Sequence, residues 1–239
     1  MNALQDQIAV VTGAGSGIGR AIALGLAEQG AQLCLVGRRL ATLQLVADTI
    51  GARVHCYQAD LSLNADVEGL AQRIMTDVKG VDILVHSAGV IQRLPIDSAA
   101  AEELDTHYKV NFQAPFLVTR HLLPVLRRRH GQILFVNSSA GMVARANMAP
   151  YSASKHALKA LADSLREEVN RDGVRVVSLF PGRTASAMQA AVHAMEGRAY
   201  RPELLMQPED VAAAAIYALS APRRVEVTDV CMRPLVKPD

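Results

Sequence analysis

The chain has 239 residues, enough for one large domain or two small ones, and half of them are hydrophobic, so a sizeable core is available. A net charge of +2 with only 4% aromatic residues gives no support for a nucleic-acid or acidic-surface binder. No uninterrupted apolar run reaches membrane-spanning length, and "MNALQDQIAVVTG" lacks the basic and long apolar regions of a secretory signal, so no membrane partner is expected.

In chain order, short runs rich in Val, Ile and Leu alternate with longer helical patterns. "QIAVV", "QLCLV", "RVHCY", "DILVHS", "QILFVNS", "VRVVSLF" and "VEVTDVCM" read as seven strands. Near-continuous hydrophobicity suits strands covered on both faces, and helix-length spacers suit right-handed crossovers. The predicted class is α/β: a doubly wound Rossmann-like domain with a seven-stranded parallel sheet and helices on both faces. No linker, charge block or repeat divides the chain, so a single domain over 1–239 is expected.

Cys34, Cys56 and Cys231 fall in strand-like runs without C-x-x-C spacing, which predicts reduced, buried thiols and a cytoplasmic location. The seven histidines form no H-x-x-x-H or other tight ligand set, so no metal is expected. "RRRH" at 127–130 precedes Gly131 and reads as a helix C-terminus, with a basic binding patch as the alternative.

The first strand runs into "TGAGSGIGRAIALGLAEQG", with glycines at 13, 17 and 19 where a strand turns into a helix. Such a loop allows close backbone approach, and the helix N-terminus offers free N–H groups to a pyrophosphate. The spacing is G-x-x-x-G-x-G, a variant of the dinucleotide fingerprint. The second strand ends "LVGRRL", where a site for NAD usually has an acid to hold the ribose hydroxyls. Arg38 and Arg39 would instead grip a 2′-phosphate, so NADP(H) is expected over NAD(H). Asp60, after the third strand, suits either an adenine amino contact or a turn, with Ser62 and Asn64 competing for the helix cap.

In "APYSASKHALKALADSL", Tyr151 and Lys155 lie four apart at a helix start, on one face. A free phenol has a pKa near ~10, roughly three units from neutrality, equivalent to about 4 kcal/mol. A cation about 4 Å away in a partly screened site supplies energy of about that size. Lys155 is therefore expected to lower the Tyr151 pKa and suit it to proton transfer.

The stretches "TGAGSGIG" (12–19), "DL" (60–61), "HSAG" (86–89), "YKVNF" around Asn111, "NSSAG" (137–141), "YSASK" (151–155) and "PGRTAS" (181–186) occur together in this order. Through them the chain resembles the short-chain dehydrogenase/reductase family over essentially its whole length. The resemblance implies Tyr151 as general acid in carbonyl reduction and base in alcohol oxidation. Lys155 would hold the nicotinamide ribose, and Asn111 would anchor a relay water. Ser138 would hold the substrate oxygen, being favoured over Ser139 by its spacing to Tyr151 and Gly141. The implied cofactor contacts are Gly13, Ser16, Gly17, Ile18, Gly19, Arg38, Arg39, Asp60, Leu61, Ala88, Gly89, Tyr151 and Lys155, with Pro181, Gly182 and Thr184 near the carboxamide. A cofactor half at about 1–135, a catalytic and substrate half at about 136–239 and a lid at about 184–206 follow.

The chain departs from the family pattern at His86 and Ser87, where two asparagines are usual, and His86 reads as structural rather than catalytic. Ser186 replaces a common threonine. The C-terminus lacks the glycine-rich ending of β-oxoacyl reductases and looks more like that of relatives reducing diverse small carbonyl compounds. The implied partner is a small carbonyl or alcohol substrate, with 3-oxoacyl thioester reduction and a non-catalytic NADP(H) sensor as alternatives. Met188, Met195 and Met206 would line the pocket or pack the lid, and Arg145, Arg198 and Arg201 would hold an acidic substrate group or face solvent. A homodimer or homotetramer, through the helices carrying Asn111 and Tyr151, is implied by resemblance alone.

Overall fold

Each apolar run is bounded by residues that turn the chain or start a helix, and together the runs build one sheet. In a computed structural model describing residues 3–51 and 53–236, the strands are β1 (Ile8–Thr12), β2 (Gln32–Gly37), β3 (Val54–Gln58), β4 (Ile83–His86), β5 (Gln132–Val136), β6 (Arg175–Pro181) and β7 (Asp229–Met232). They lie in the order β3-β2-β1-β4-β5-β6-β7, with every neighbouring pair parallel. The helices between them are α1 (Gly17–Glu28), α2 (Leu40–Ile50), α3 (Asn64–Asp77), α4 (Ala101–Tyr108), α5 (Ala114–Arg128), α6 (Ala149–Val169), α7 (Ala187–Met195) and α8 (Pro208–Ser220).

Side chains alternate across a strand, so each strand feeds two cores. Ala9 and Val11 join Ile22, Leu26, Leu43 and Val211 from α1, α2 and α8. Val10 joins Leu70, Leu122 and Leu158 from α3, α5 and α6 on the opposite face. Strand order reverses at β1, which pairs with β2 on one side and β4 on the other. The crevice beyond the carboxyl ends of β1 and β4 is where ligands bind in sheets of this kind.

Three sequence expectations need correction. The last strand covers only 229–232 of the 225–232 run, because Arg175 and Glu226 intercept the backbone bonds a longer strand would need. Arg175 Nη1 donates to the Val225 carbonyl at 2.8 Å, and Glu226 Oε1 accepts from the Val176 N–H at 2.8 Å. The cysteines are not uniformly buried: Cys34 is buried, Cys56 half-buried and Cys231 exposed, since β3 and β7 are the sheet edges. The "RRRH" run does end a helix, but the left-handed residue is His130 (φ 48°) rather than Gly131. Gly131 serves close packing, as a Cβ there would sit 2.8 Å from the Asp82 carbonyl. Arg127 pairs with Asp172 and Arg129 with Asp82, each at 2.8 Å, which favours the structural reading over a patch. Among the described residues no helix is long and apolar enough to cross a membrane, and no cluster of three or more His, Cys, Asp or Glu is placed to hold a metal. Residues 237–239 of the C-terminal stretch lie outside those described.

Candidate active site

At the switch point the glycine loop packs against the end of β4. Gly13 has φ +69°, and a Cβ there would lie 2.8 Å from the Ala88 backbone nitrogen. Thr12 Oγ1 accepts from the Ser87 and Ala88 N–H groups at 3.1 and 3.2 Å, stapling the two strand ends together. Gly19 is buried so tightly that a Cβ would meet the Gly13 carbonyl oxygen at 2.3 Å. Ser16 caps α1 in an extended conformation, yet its hydroxyl makes no bond to its own helix, and the first turn carries no acid. Gly17 approaches Ser186, and Ile18 packs on the core beneath. An anionic group fits this end: exposed donors, a free hydroxyl, no competing carboxylate.

Arg38 and Arg39 are both exposed at the end of β2, and neither forms an ion pair among the described residues. The Arg39 carbonyl accepts from the Thr42 N–H and hydroxyl, starting α2, while its side chain stays free of that role. Asp60 is a turn residue: Oδ1 accepts from the Ser62 N–H at 2.9 Å and the Ser62 hydroxyl at 2.8 Å. These bonds, and more weakly the charge of Arg38, hold its carboxyl below the ordinary range against the opposing effect of burial. Neither Ser62 nor Asn64 caps α3; Leu63 occupies that position. Leu61 points into the core, so only its backbone is available to a ligand.

On the chemical side, residues 109–113 form a π-turn between α4 and α5, a feature that recurs at functional sites. It carries Asn111, fully buried, whose Oδ1 accepts from the Val90 N–H at 2.9 Å. Its Nδ2 donates to the Val90 carbonyl and to Ser154 Oγ, both at 3.0 Å. Asn111 Oδ1 and Lys155 Nζ converge on Gly89, at 3.3 and 3.8 Å from where its Cβ would be. Ser138 ends the β5 strand region and caps a short 3-10 turn over Ser139–Gly141, its Oγ accepting from the Ala140 N–H at 3.1 Å. Tyr151 and Lys155 are both buried in the first two turns of α6.

The expected pairing of phenol and ammonium is altered in detail. Burial raises the Tyr151 pKa, and the Ser138 hydroxyl, not Lys155, pulls it the other way. Lys155 Nζ lies 6.0 Å from the phenol ring centroid and donates to the Val136 carbonyl at 3.1 Å. Shared facing on a helix set the two side chains together, but the strand end captured the ammonium. Burial also pushes the Lys155 ammonium down to about 8.

Four supporting residues were not singled out by sequence. Asn137 Nδ2 donates to the Lys155 carbonyl at 3.1 Å while Oδ1 accepts from the Ser138 N–H, tying β5 to α6. Ser154 Oγ links Asn111 to the Tyr151 carbonyl. His107 donates from Nδ1 to the Glu103 carbonyl and accepts the Gln92 N–H at Nε2, its ring set edge-on to Tyr151 with centroids 6.1 Å apart. Thr12 is the fourth. Asn137 lay within a quoted motif; His107 left no signal, because its partners are set by the fold.

His86 is structural. It is buried, bonded through Nε2 to Thr119 Oγ1 at 2.8 Å and stacked on Phe135, and burial pushes it down to about 3. Ala140, Met148 and Tyr151 form a small buried apolar cluster with Ile91 packed against it. Pro181 ends β6, the Gly182 N–H bonds to the Met232 carbonyl, and Thr184 is buried with Oγ1 donating to the Gly182 carbonyl. Met206 packs into the core and also lines a surface cavity with Leu204, Leu205 and Met232, whereas Met188 and Met195 are exposed on α7. Arg145 and Arg201 face solvent, and Arg198 approaches Glu196 at 4.0 Å.

The short chain dehydrogenase family model matches residues 7–197. The chain belongs to the short-chain dehydrogenase family. It is 32% identical over 237 residues to an uncharacterized oxidoreductase of Staphylococcus aureus, covering 98% of this chain and 100% of that protein. Among solved structures it is similar to an alcohol dehydrogenase from the archaeon Thermococcus sibiricus complexed with 5-hydroxy-NADP, with a TM-score of 0.89, 26% identity and coverage of 98% and 100%. It is also similar to a short chain dehydrogenase from Escherichia coli complexed with NADPH, with a TM-score of 0.88, 31% identity and coverage of 96% and 98%. This short-chain dehydrogenase is an oxidoreductase acting between CH–OH and C=O with a nicotinamide cofactor.

Proposed function

We propose that this enzyme is NADP(H)-dependent and transfers hydride to or from the carbonyl or alcohol carbon of a small, largely apolar substrate, with Tyr151 as general acid and base. The observation that carries this reading is the burial of Tyr151 and Lys155 together at the start of α6, with the Ser138 hydroxyl reaching Tyr151 and Ala140, Met148 and Ile91 packed beside it. When bound, NADPH supplies the hydride.

The chain's own residues supply the rest. Buried Tyr151, its pKa raised, stays protonated at neutral pH and is poised to give a proton to a carbonyl oxygen. Ser138 Oγ already accepts from Ala140, which leaves its O–H to hold that oxygen as charge develops. Lys155 spends one donor on Val136 and retains others for ribose hydroxyls. Both amide N–H groups of Asn111 are engaged, with Val90 and Ser154, so a relay water would be anchored by the remaining acceptor site of Oδ1 or by the main chain. Ser16, the loop glycines 13, 17 and 19, Ala88 and Gly89 would hold the phosphates and ribose, and Pro181 to Thr184 the carboxamide.

The preference for NADPH over NADH rests on Arg38, with Arg39 beside it. An exposed guanidinium that forms no ion pair among the described residues suits a 2′-phosphate, and Asp60, whose Oδ1 is tied to Ser62, would meet the adenine amino group. Arg38→Asp should lower the ratio of kcat/KM for NADPH to that for NADH by about tenfold or more. An unchanged ratio would remove Arg38 from the phosphate site.

The chain is read as one domain that works in the cytoplasm, where free thiols stay reduced. Self-association would run through the helices carrying Asn111 and Tyr151, and the exposed Leu104, Tyr108 and Phe116 around the π-turn support the Asn111 part of that surface. Light scattering that returned the mass of a single chain would contradict it.

A further inference from the structure

The flap between β6 and α8 is fixed at its base and lightly packed at its tip. Thr184 bridges Met206, and the Ala185 N–H donates to the Met206 carbonyl at 2.7 Å, so the two ends are joined. Of the nine residues of α7, only Val192 and His193 are buried, so apolar burial does little to hold it down. At its end, however, the Glu196 side chain is only 9% exposed.

Glu196 gathers three segments that are distant in sequence. Arg183, just after β6, donates from Nη2 to both of its carboxylate oxygens at 2.8 Å. Arg93, between β4 and α4, donates to it from Nη1 and reaches the Ala146 carbonyl from Nη2 at 3.5 Å. Arg198 Nε stands 4.0 Å away. His193, held by the Gln189 carbonyl through Nδ1, accepts from Arg183 Nη1 at 3.2 Å and so presets that guanidinium. Two residues before Arg93, Ile91 packs on the cluster that contains Tyr151.

We propose that Glu196 is a positioning residue that closes the flap over the carbonyl pocket by holding Arg93 and Arg183 on one carboxylate. Its removal does more than delete an attraction. Arg93 and Arg183 are then left as like charges around the vacated carboxylate position, which drives the segments apart. The kinetic part of this inference rests on the reading of the site as a carbonyl reductase; the conformational part does not.

The test is hydrogen exchange, read peptide by peptide, on the full-length protein, its Glu196→Gln, Glu196→Asp and Arg93→Gln variants, and the Glu196→Gln/Arg93→Gln double variant. Glu196→Gln should speed exchange across 187–200 by about tenfold or more while β1 to β6 keep their protection. Arg93→Gln should do so to a smaller degree, the double variant, which lacks the repulsion, should exchange more slowly than Glu196→Gln alone, and Glu196→Asp should recover part of the protection. With NADPH and a carbonyl that the wild type reduces, Glu196→Gln should raise KM by about tenfold with kcat changed by less than about twofold. Unchanged exchange in 187–200, additive single effects, or a fall in kcat at constant KM would overturn the proposal. If Glu196→Gln loses protection throughout the sheet, Arg93→Gln and Glu196→Asp decide the matter. If the wild type reduces no carbonyl, the activity reading fails and exchange alone decides whether the latch exists.

Discussion

Burial acts on Tyr151 and Lys155 in opposite senses, and both shifts favour the neutral form. For Tyr151 this keeps the proton where a reductase needs it. For Lys155 the folded value of about 8 lies below the ordinary ammonium value of about 10.4, so the folded chain binds fewer protons than the unfolded chain between them. The charged lysine therefore costs folding stability below about pH 8, and the cost fades as pH rises through that window. If the ammonium holds the cofactor, NADPH affinity should fall above about pH 8, by up to about tenfold per unit. Fluorescence titration from pH 7 to 9.5 reads this directly, with Lys155→Met expected to bind more weakly and with a flat profile. A flat wild-type profile would take Lys155 out of the cofactor site. The proposed catalytic residues were legible because Tyr151 and Lys155, one helical turn apart, stand in order with the other motifs of the family. The direction of the ammonium was not, since its acceptor, the Val136 carbonyl, is nineteen positions away in sequence.

Elements were legible where burial is symmetric and obscure where it is not. β1, β5 and β6 are buried along their whole length, and their continuous apolar runs mark them without ambiguity. β7, an edge strand of alternating exposure, shrinks to four residues because Glu226 and Arg175 take over neighbouring backbone bonds. The π-turn at 109–113 was invisible within a continuous helical pattern, yet it is what seats Asn111 against Val90. Asn137 plays the matching part between β5 and α6. Asn137→Ala leaves the Ser138 N–H without its partner and takes from the Lys155 carbonyl its second donor beside the helix bond, and should lower stability by about 1–3 kcal/mol. Turnover should fall as well, since both catalytic neighbours lose their anchor. Calorimetry and a kinetic assay check the two effects, and an unchanged melting temperature would contradict the anchoring role.

At the scale of the whole molecule, the parallel sheet brings residues from every part of the chain to one crevice. The glycine loop, the β4 end, the π-turn, the β5 end and the α6 start meet because strand order reverses at β1. That convergence follows from the doubly wound topology, which the alternating strand and helix pattern already implied. The Arg93–Glu196–Arg183 cluster had no such signal, because each member reads singly as an ordinary solvated charge. All of these residues converge on one proposed step: hydride transfer from NADPH to a carbonyl, completed by the Tyr151 proton. The most direct test follows the loss of reduced-nicotinamide absorbance with ketones, aldehydes, β-keto esters and oxoacyl thioesters, for wild type and Tyr151→Phe side by side. The account predicts NADPH-dependent turnover that falls by about 10²–10⁴-fold in Tyr151→Phe while NADPH binding is retained. Equal turnover by the two proteins would contradict it.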